Sequence, residues 1–207
     1  QPSRAAGILR ARSHPYDRPT ALVVDDAAPD ARLGAGFPRA AALADAFEQL
    51  GYEITLFATS RIESVFVPRG HGGLEAIAGG PEELAGFLRS RIMERRPDVL
   101  VVSRPHNMRF LKASIGSDLS TLGLPCVYDA EAVFAVREIG RRRLAGHPLA
   151  ESDQRALLDQ ELALARGCDA VLAVSDAEGR LFAASGAANV RVLRHAVAAE
   201  PYKLLLR

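Results

Sequence analysis

Short, Val-rich apolar runs alternate along this chain with segments of helical periodicity, and that alternation restricts the fold more than any other feature. Thr20-Ala-Leu-Val-Val-Asp-Asp26 is apolar without alternation and ends in two acids. Runs of this kind, bounded by turn residues, suit strands buried on both faces of a parallel sheet. Strands are expected at 20–26, 52–58, 64–67, 98–103, 125–129, 169–175 and 190–193. Between them, residues 37–50 place Leu43, Phe47 and Leu50 at helical spacing before Gly51. Pro81-Glu-Glu opens a helix to Arg96, with Pro in the first turn and acids near the positive end. Further helices are expected at 108–122, 176–184 and 151–166, the last with Leu158, Leu162 and Ala165 on one stripe. The pattern predicts an α/β fold: a Rossmann-like three-layer αβα domain with a mainly parallel sheet of about seven strands. Residues 1–19 read as a loose leader, 20–197 as one domain, and 198–207 as the start of a linker.

Composition narrows the class further. The 207 residues are 48% hydrophobic and 25% charged, the profile of a globular chain with enough length for a full core. With 26 basic against 25 acidic residues the net charge is +1, so no global field calls for nucleic acid. Cys126 and Cys168 sit in or beside apolar stretches and read as two buried thiols rather than a disulfide. No apolar run approaches the ~20 residues that cross a bilayer, and the first residues are polar, so a cytoplasmic protein is the expectation.

A sheet of this kind binds ligands at the carboxyl ends of its strands, which selects four loops. Gly34-Ala-Gly36 lies before a helix whose free N–H groups suit an anion, though Arg39 stands where the third glycine of a dinucleotide fingerprint belongs. That loop reads equally as a plain connection, and Arg39 as an anion ligand or an idle surface residue. In Ser103-Arg-Pro-His-Asn107, Pro105 stops the strand and presents Arg104 and His106 over the edge, where a His is a base, a hydroxyl ligand or simply solvated. Tyr128-Asp-Ala-Glu131 offers Asp129 and Glu131 for hydroxyl recognition, or Asp129 as a helix cap. Ser175-Asp-Ala-Glu178 reads foremost as a capping box. The five His are scattered and the two Cys are not at ligand spacing, so no metal site is expected. The segments 34–36 and 140–147, the latter Arg- and Gly-rich, are expected to be the most mobile loops.

Taken in order, these segments resemble the N-terminal domain of GT-B glycosyltransferases, close to glycosyltransferase family 4. The resemblance rests on Gly34-Ala-Gly-Phe-Pro-Arg39, Leu50-Gly-Tyr-Glu-Ile-Thr55 and Arg96-Pro-Asp-Val-Leu-Val-Val102. It is densest at the end: Glu161, Leu164-Ala-Arg166, Cys168-Asp-Ala-Val-Leu-Ala-Val-Ser175, Glu178, Gly186, Asn189-Val190, Val192-Leu193 and His195-Ala-Val197. The resemblance implies an acceptor-binding half that faces a second Rossmann-like domain, which holds the nucleotide-sugar donor through paired glutamates. It implies no cofactor beyond that co-substrate, and a glycan or lipid-linked acceptor. Gly34, Gly36, Arg39, Ser103, Arg104, Asp129, Glu131, Ser175 and His195 are the expected contact residues, with His106 the catalytic candidate. Family members often carry a His at the end of the fourth strand; here Ser103 and Arg104 hold that place. The stretch Tyr128-Asp-Ala-Glu131 with Arg137-Glu138 resembles a bacterial subgroup linked to surface-polysaccharide assembly. On this reading the fragment alone does not turn over, because one wall of a cleft cannot position two substrates. Arg141, Arg142 and Arg143 then read as a solvated loop, or as a contact for an anionic acceptor at the inner face of a membrane.

Two rivals belong to other classes. A response-regulator receiver shares the acidic pair after the first strand, but its phosphoacceptor position is Ser103 here and the spacing is too long. A non-catalytic binding module on the same fold is the other alternative.

Overall fold

The computed structural model describes residues 18–29, 36–60, 65–69 and 72–195. Residues 1–17 of the expected leader, the linker and Gly34 lie outside these residues. Among the described residues, eight strands form one sheet in the order β3-β4-β2-β1-β5-β6-β7-β8. They are β1 (Thr20–Asp25), β2 (Glu53–Ala58), β3 (Val65–Arg69), β4 (Gly72–Ala78), β5 (Val99–Ser103), β6 (Cys126–Asp129), β7 (Ala170–Ala173) and β8 (Val190–Val192). All neighbours pair in parallel except β3, which runs antiparallel to β4 at the edge. The Rossmann-like expectation holds, with one strand more than the sequence suggested. β4 escaped notice because it opens on Gly72 and Gly73; its inward residues are Leu74 and Ala76, with Glu75 between them half-buried.

Among the described residues, six α-helices connect the strands: α1 (Phe37–Gln49), α2 (Leu84–Glu94), α3 (Pro105–Ile115), α4 (Phe134–Leu144), α5 (Glu151–Leu162) and α6 (Asp176–Ala184). Burial alternates through the central strands. Leu22 and Val24 of β1 join Leu100 and Val102 of β5, Leu84 and Leu88 of α2, Met108 and Leu111 of α3 and Phe182 of α6 in one core. Val23 and Val101 face the other way, toward Ala44 of α1, Ile54 and Leu56. Each fully buried Leu or Val contributes about 1.5–3 kcal/mol, so strands apolar on both faces stabilise two layers of helix at once.

Two expectations change. Residues 140–144 are helix rather than loop: α4 runs through Leu144, and Arg141 and Arg142 grip Glu138 one turn back. The arginine run hid this helix because its polar face is nearly continuous. The helix expected from Met108 begins instead at Pro105, in the first turn where its missing N–H is harmless, so His106 rides on a helix rather than a loop. Cys126 and Cys168 are both buried and free.

Several residues that carry the family resemblance turn out to be staples. Asp98 accepts from the Thr20 backbone N–H at 2.6 Å, and Asp169 from that of Cys126 at 2.8 Å. Each ties the start of one strand to its neighbour.

Candidate functional site

After β4 the chain crosses back to place β5 on the far side of β1. The crossovers at β1 and β5 therefore diverge, leaving a crevice at the carboxyl ends of these two strands. Asp25 and Asp26 end β1; Ser103 and Arg104 end β5. Arg104 takes φ 75° as the residue preceding α3, a conformation that aims its side chain back across the crevice. Its Nη1 lies 2.7 Å from Asp26 Oδ2, and its Nε 3.0 Å from both Asp25 Oδ1 and Glu131 Oε2. Nε, caught between two carboxylates, makes no well-directed hydrogen bond to either, and Nη2 is buried without a hydrogen-bond partner among the described residues. The guanidinium stacks over Phe37 at 5.0 Å.

Glu131 also holds a positive φ, 57°. Two of the three non-glycine residues with positive φ among the described residues thus face each other in one cluster, a concentration of strain typical of functional positions. Gly36 serves this arrangement. A Cβ there would lie 2.2 Å from Glu131 Oε1, so any larger residue at the start of α1 displaces the Glu131 carboxylate from its present place.

Asp26 is the hub. It accepts from Asn107 Nδ2 at 2.9 Å and lies 2.5 Å from His106 Nε2. Asn107, fully buried, also donates to the Ser103 carbonyl at 3.0 Å and accepts from Thr59 Oγ1 at 2.7 Å. Burial pushes the Asp26 carboxyl up, but hydrogen bonds from His106 and Asn107 and the charge of Arg104 outweigh it and hold Asp26 below its usual range. Asp25 behaves oppositely. Its burial raises it to about 7 in spite of the nearby Arg104 charge. An ion pair at 3.0 Å would by itself keep Asp25 ionised, but one guanidinium shared by three carboxylates cannot neutralise all of them, and the most buried keeps its proton near neutrality. His106 stays 41% exposed at its side chain. With Nε2 donating to an ionised Asp26, the neutral ring carries its lone pair on Nδ1, the arrangement of an oriented general base.

Other expected residues are placed elsewhere. Arg39 is neither a surface residue nor a free anion ligand: it is 4% exposed, with Nη2 2.7 Å from Asp129 Oδ1 and Nη1 donating to the Leu193 carbonyl. Asp129 is committed to that pair and caps no helix. Ser175 precedes α6 and accepts from the Glu178 N–H at 3.2 Å, half of a capping box. The other half is open, because the Glu178 carboxylate reaches the Val133 N–H at 3.0 Å instead. Glu161 accepts from Phe134 and Ala135 N–H at 2.7 and 2.6 Å, so two acids of the resemblance cap α4. His195 is exposed beyond β8. Sequence reasoning passed over Asp25, Asp26, Asn107 and Thr59. The strand-end rule applied to β1 finds the first two, and applied to β2 it finds Thr59.

No protein-family model and no curated protein matches the sequence. Solved structures do. The sucrose-phosphate synthase of Thermosynechococcus elongatus superposes with a TM-score of 0.58 at 15% identity, over 86% of this chain and 48% of that one. A ugt transferase from Siraitia grosvenorii, in complex with UDP, gives 0.48 at 11% identity, over 84% and 47%. The chain spans about half the length of these structures. The first likeness shows the fold, a Rossmann-like α/β domain. Among the described residues, no helix is long and apolar enough to cross a membrane.

Proposed function

We propose that the chain is the acceptor-binding, N-terminal half of a glycosyltransferase, which moves a sugar from a nucleotide-sugar donor to a glycan or lipid-linked acceptor in surface-polysaccharide assembly. The observation that carries this reading is the His106–Asp26 pair, braced by Arg104 and Asn107 at the topological switch of the sheet. The fold shared with the sucrose-phosphate synthase and the motifs of the last third support it. In this reading His106 takes the proton of the attacking hydroxyl, and Asp26 stabilises the imidazolium that results. The donor belongs to a second Rossmann-like domain, and neither wall alone brings donor and acceptor into line.

The test is sugar transfer from a panel of nucleotide sugars, measured on the longest natural chain that contains these residues and on the 207-residue chain alone. Transfer by the longer chain and none by the shorter is expected. His106→Ala lowers kcat by about 10²–10⁴-fold, the range for a lost general base, with an unchanged thermal midpoint because the side chain is half-exposed. If the longer chain transfers no sugar from any donor, the site is a ligand-binding module instead.

A further inference from the structure

Cys126 opens β6, and Cys168 stands just before β7, the strand paired with it. Val127 lies level with Ala170, which brings Cys126 level with Asp169. Two contacts at 2.8 Å fix that level: the Asp169 N–H donates to the Cys126 carbonyl, and the Cys126 N–H to the Asp169 carboxylate. Cys168 is therefore one residue off the level of Cys126. Neighbouring strands lie about 4.8 Å apart and rise about 3.3 Å per residue. Such a pair of Cα atoms sits about 6 Å apart, the separation that a disulfide spans. Both side chains enter the same core.

The two thiols interact, and they are unlike. The Cys168 S–H donates to the Leu164 carbonyl at 3.8 Å. Hydrogen bonding from Cys126 pulls the Cys168 thiol below its usual range against its burial; the Lys112 charge adds to that pull and the Asp169 charge opposes it. Cys126 moves the other way: the hydrogen bond to Cys168 keeps its proton on, and burial does the same. Lys112, in the last turn of α3, is half-buried and donates to the Arg166 carbonyl at 2.8 Å. A cysteine with thiolate character beside a lysine is a reactive one, and a second thiol next to it resolves its oxidised form. Cys168 keeps 6% of its surface and lies between exposed Gly167 and Asp169, whereas Cys126 keeps 1%.

We propose that Cys126 and Cys168 form a redox modification site, at which a hydroperoxide converts the two thiols to an internal disulfide. The Cys168 thiolate attacks one oxygen of the peroxide. The O–O bond breaks, the sulfur becomes a sulfenic acid, and the other oxygen of hydrogen peroxide leaves as water with the proton that Cys168 gave up. The Cys126 sulfur then attacks the sulfenic sulfur. An S–S bond forms, the S–O bond breaks, and hydroxide leaves with the Cys126 proton as a second water. Two electrons pass from the thiols to the peroxide. The bridge closes residues 127–167 into a loop that carries Asp129, Glu131, α4 and α5, so oxidation pins this side of the crevice from the amino end of its strands. Sugar transfer is not involved, and either proposal can fail alone.

The experiment is hydrogen peroxide treatment of the freshly reduced 207-residue chain, followed by alkylation in denaturant and mass mapping without reductant. Two alkylatable thiols are expected before treatment and none after. The mass should fall by about 2 Da, with one peptide pair joined through Cys126 and Cys168. The thermal midpoint should rise by about 5–15 °C, since the closed loop restricts the unfolded chain. Dithiothreitol should reverse both changes. Cys126→Ala should leave on Cys168 a sulfenic acid that dimedone traps, and Cys168→Ala should leave Cys126 unreacted at the same peroxide dose. The mapping uses the parent chain, so it decides the question even where a variant fails to fold. Thiols that stay alkylatable, oxidation to sulfinic acid without a joined peptide, or disulfides formed only between chains would each overturn the proposal.

Discussion

Two groups of buried and partly buried acids lie along the same edge of the sheet and meet different fates. Around β6, β7 and α4, Glu161 gives both oxygens and Glu178 one oxygen to backbone N–H groups, and Asp129 pairs with one guanidinium. Around β1 and β5, Asp25, Asp26 and Glu131 compete for a single Arg104 whose Nη2 stays unpaired among the described residues. The first group closes the structure. The second leaves a proton near neutrality on Asp25 and a half-exposed His against Asp26. Burial and residue type are alike in both; what differs is whether each charge has a partner of its own.

The comparison breaks most sharply at Asp129. Asp129→Ala strands the Arg39 guanidinium in the interior, and removing one partner of a buried pair costs about 3–5 kcal/mol; chemical denaturation should show that loss. If Asp129→Ala is no more harmful than a surface substitution, the first group is not structural. Glu161→Ala should cost about 2–3 kcal/mol by the same measurement, since two N–H groups at the start of α4 lose their acceptor.

The second group is probed by pH. The Asp25 pKa is raised by burial to about 7 from an unfolded value of 3.8, so the folded chain binds the proton more tightly than the unfolded one. Its contribution to stability is full below pH 3.8 and declines as pH rises through 7. Asp25→Asn, which cannot ionise, should flatten stability across that window relative to the parent; an equal slope in both proteins would place the titration elsewhere. The smallest effect belongs to Ser175→Ala, about 1 kcal/mol for a lost cap. It should leave ligand binding at the Asp26 cluster untouched.

Legibility in the sequence followed the range of the interactions. The central strands were readable because each is a continuous apolar run, and α1, α5 and α6 because their stripes repeat locally. β4 and α4 were not, since two glycines begin one and a run of arginines fills the other. Within the site, Arg104, His106 and Glu131 were visible at strand ends. Their connection to Asp26 was not: it spans 78 residues for Arg104 and 80 for His106. Arg39 shows the same limit from the other side. Its place in a first helical turn suggested an anion ligand, and only packing against Asp129, 90 residues away, reveals a structural role.

What the sequence alone determined is therefore the layer architecture: hydrophobic periodicity and turn chemistry are local, and they suffice to specify buried strands wrapped by helices. Which charges would neutralise one another was decided only in three dimensions. Coulombic and hydrogen-bond partners are chosen by distance in a desolvated interior, and strand order brings residues from β1, β5 and β6 to one crevice. Two of its residues, Arg104 and Glu131, adopt strained backbone there, and neither their spacing nor their residue type announces it.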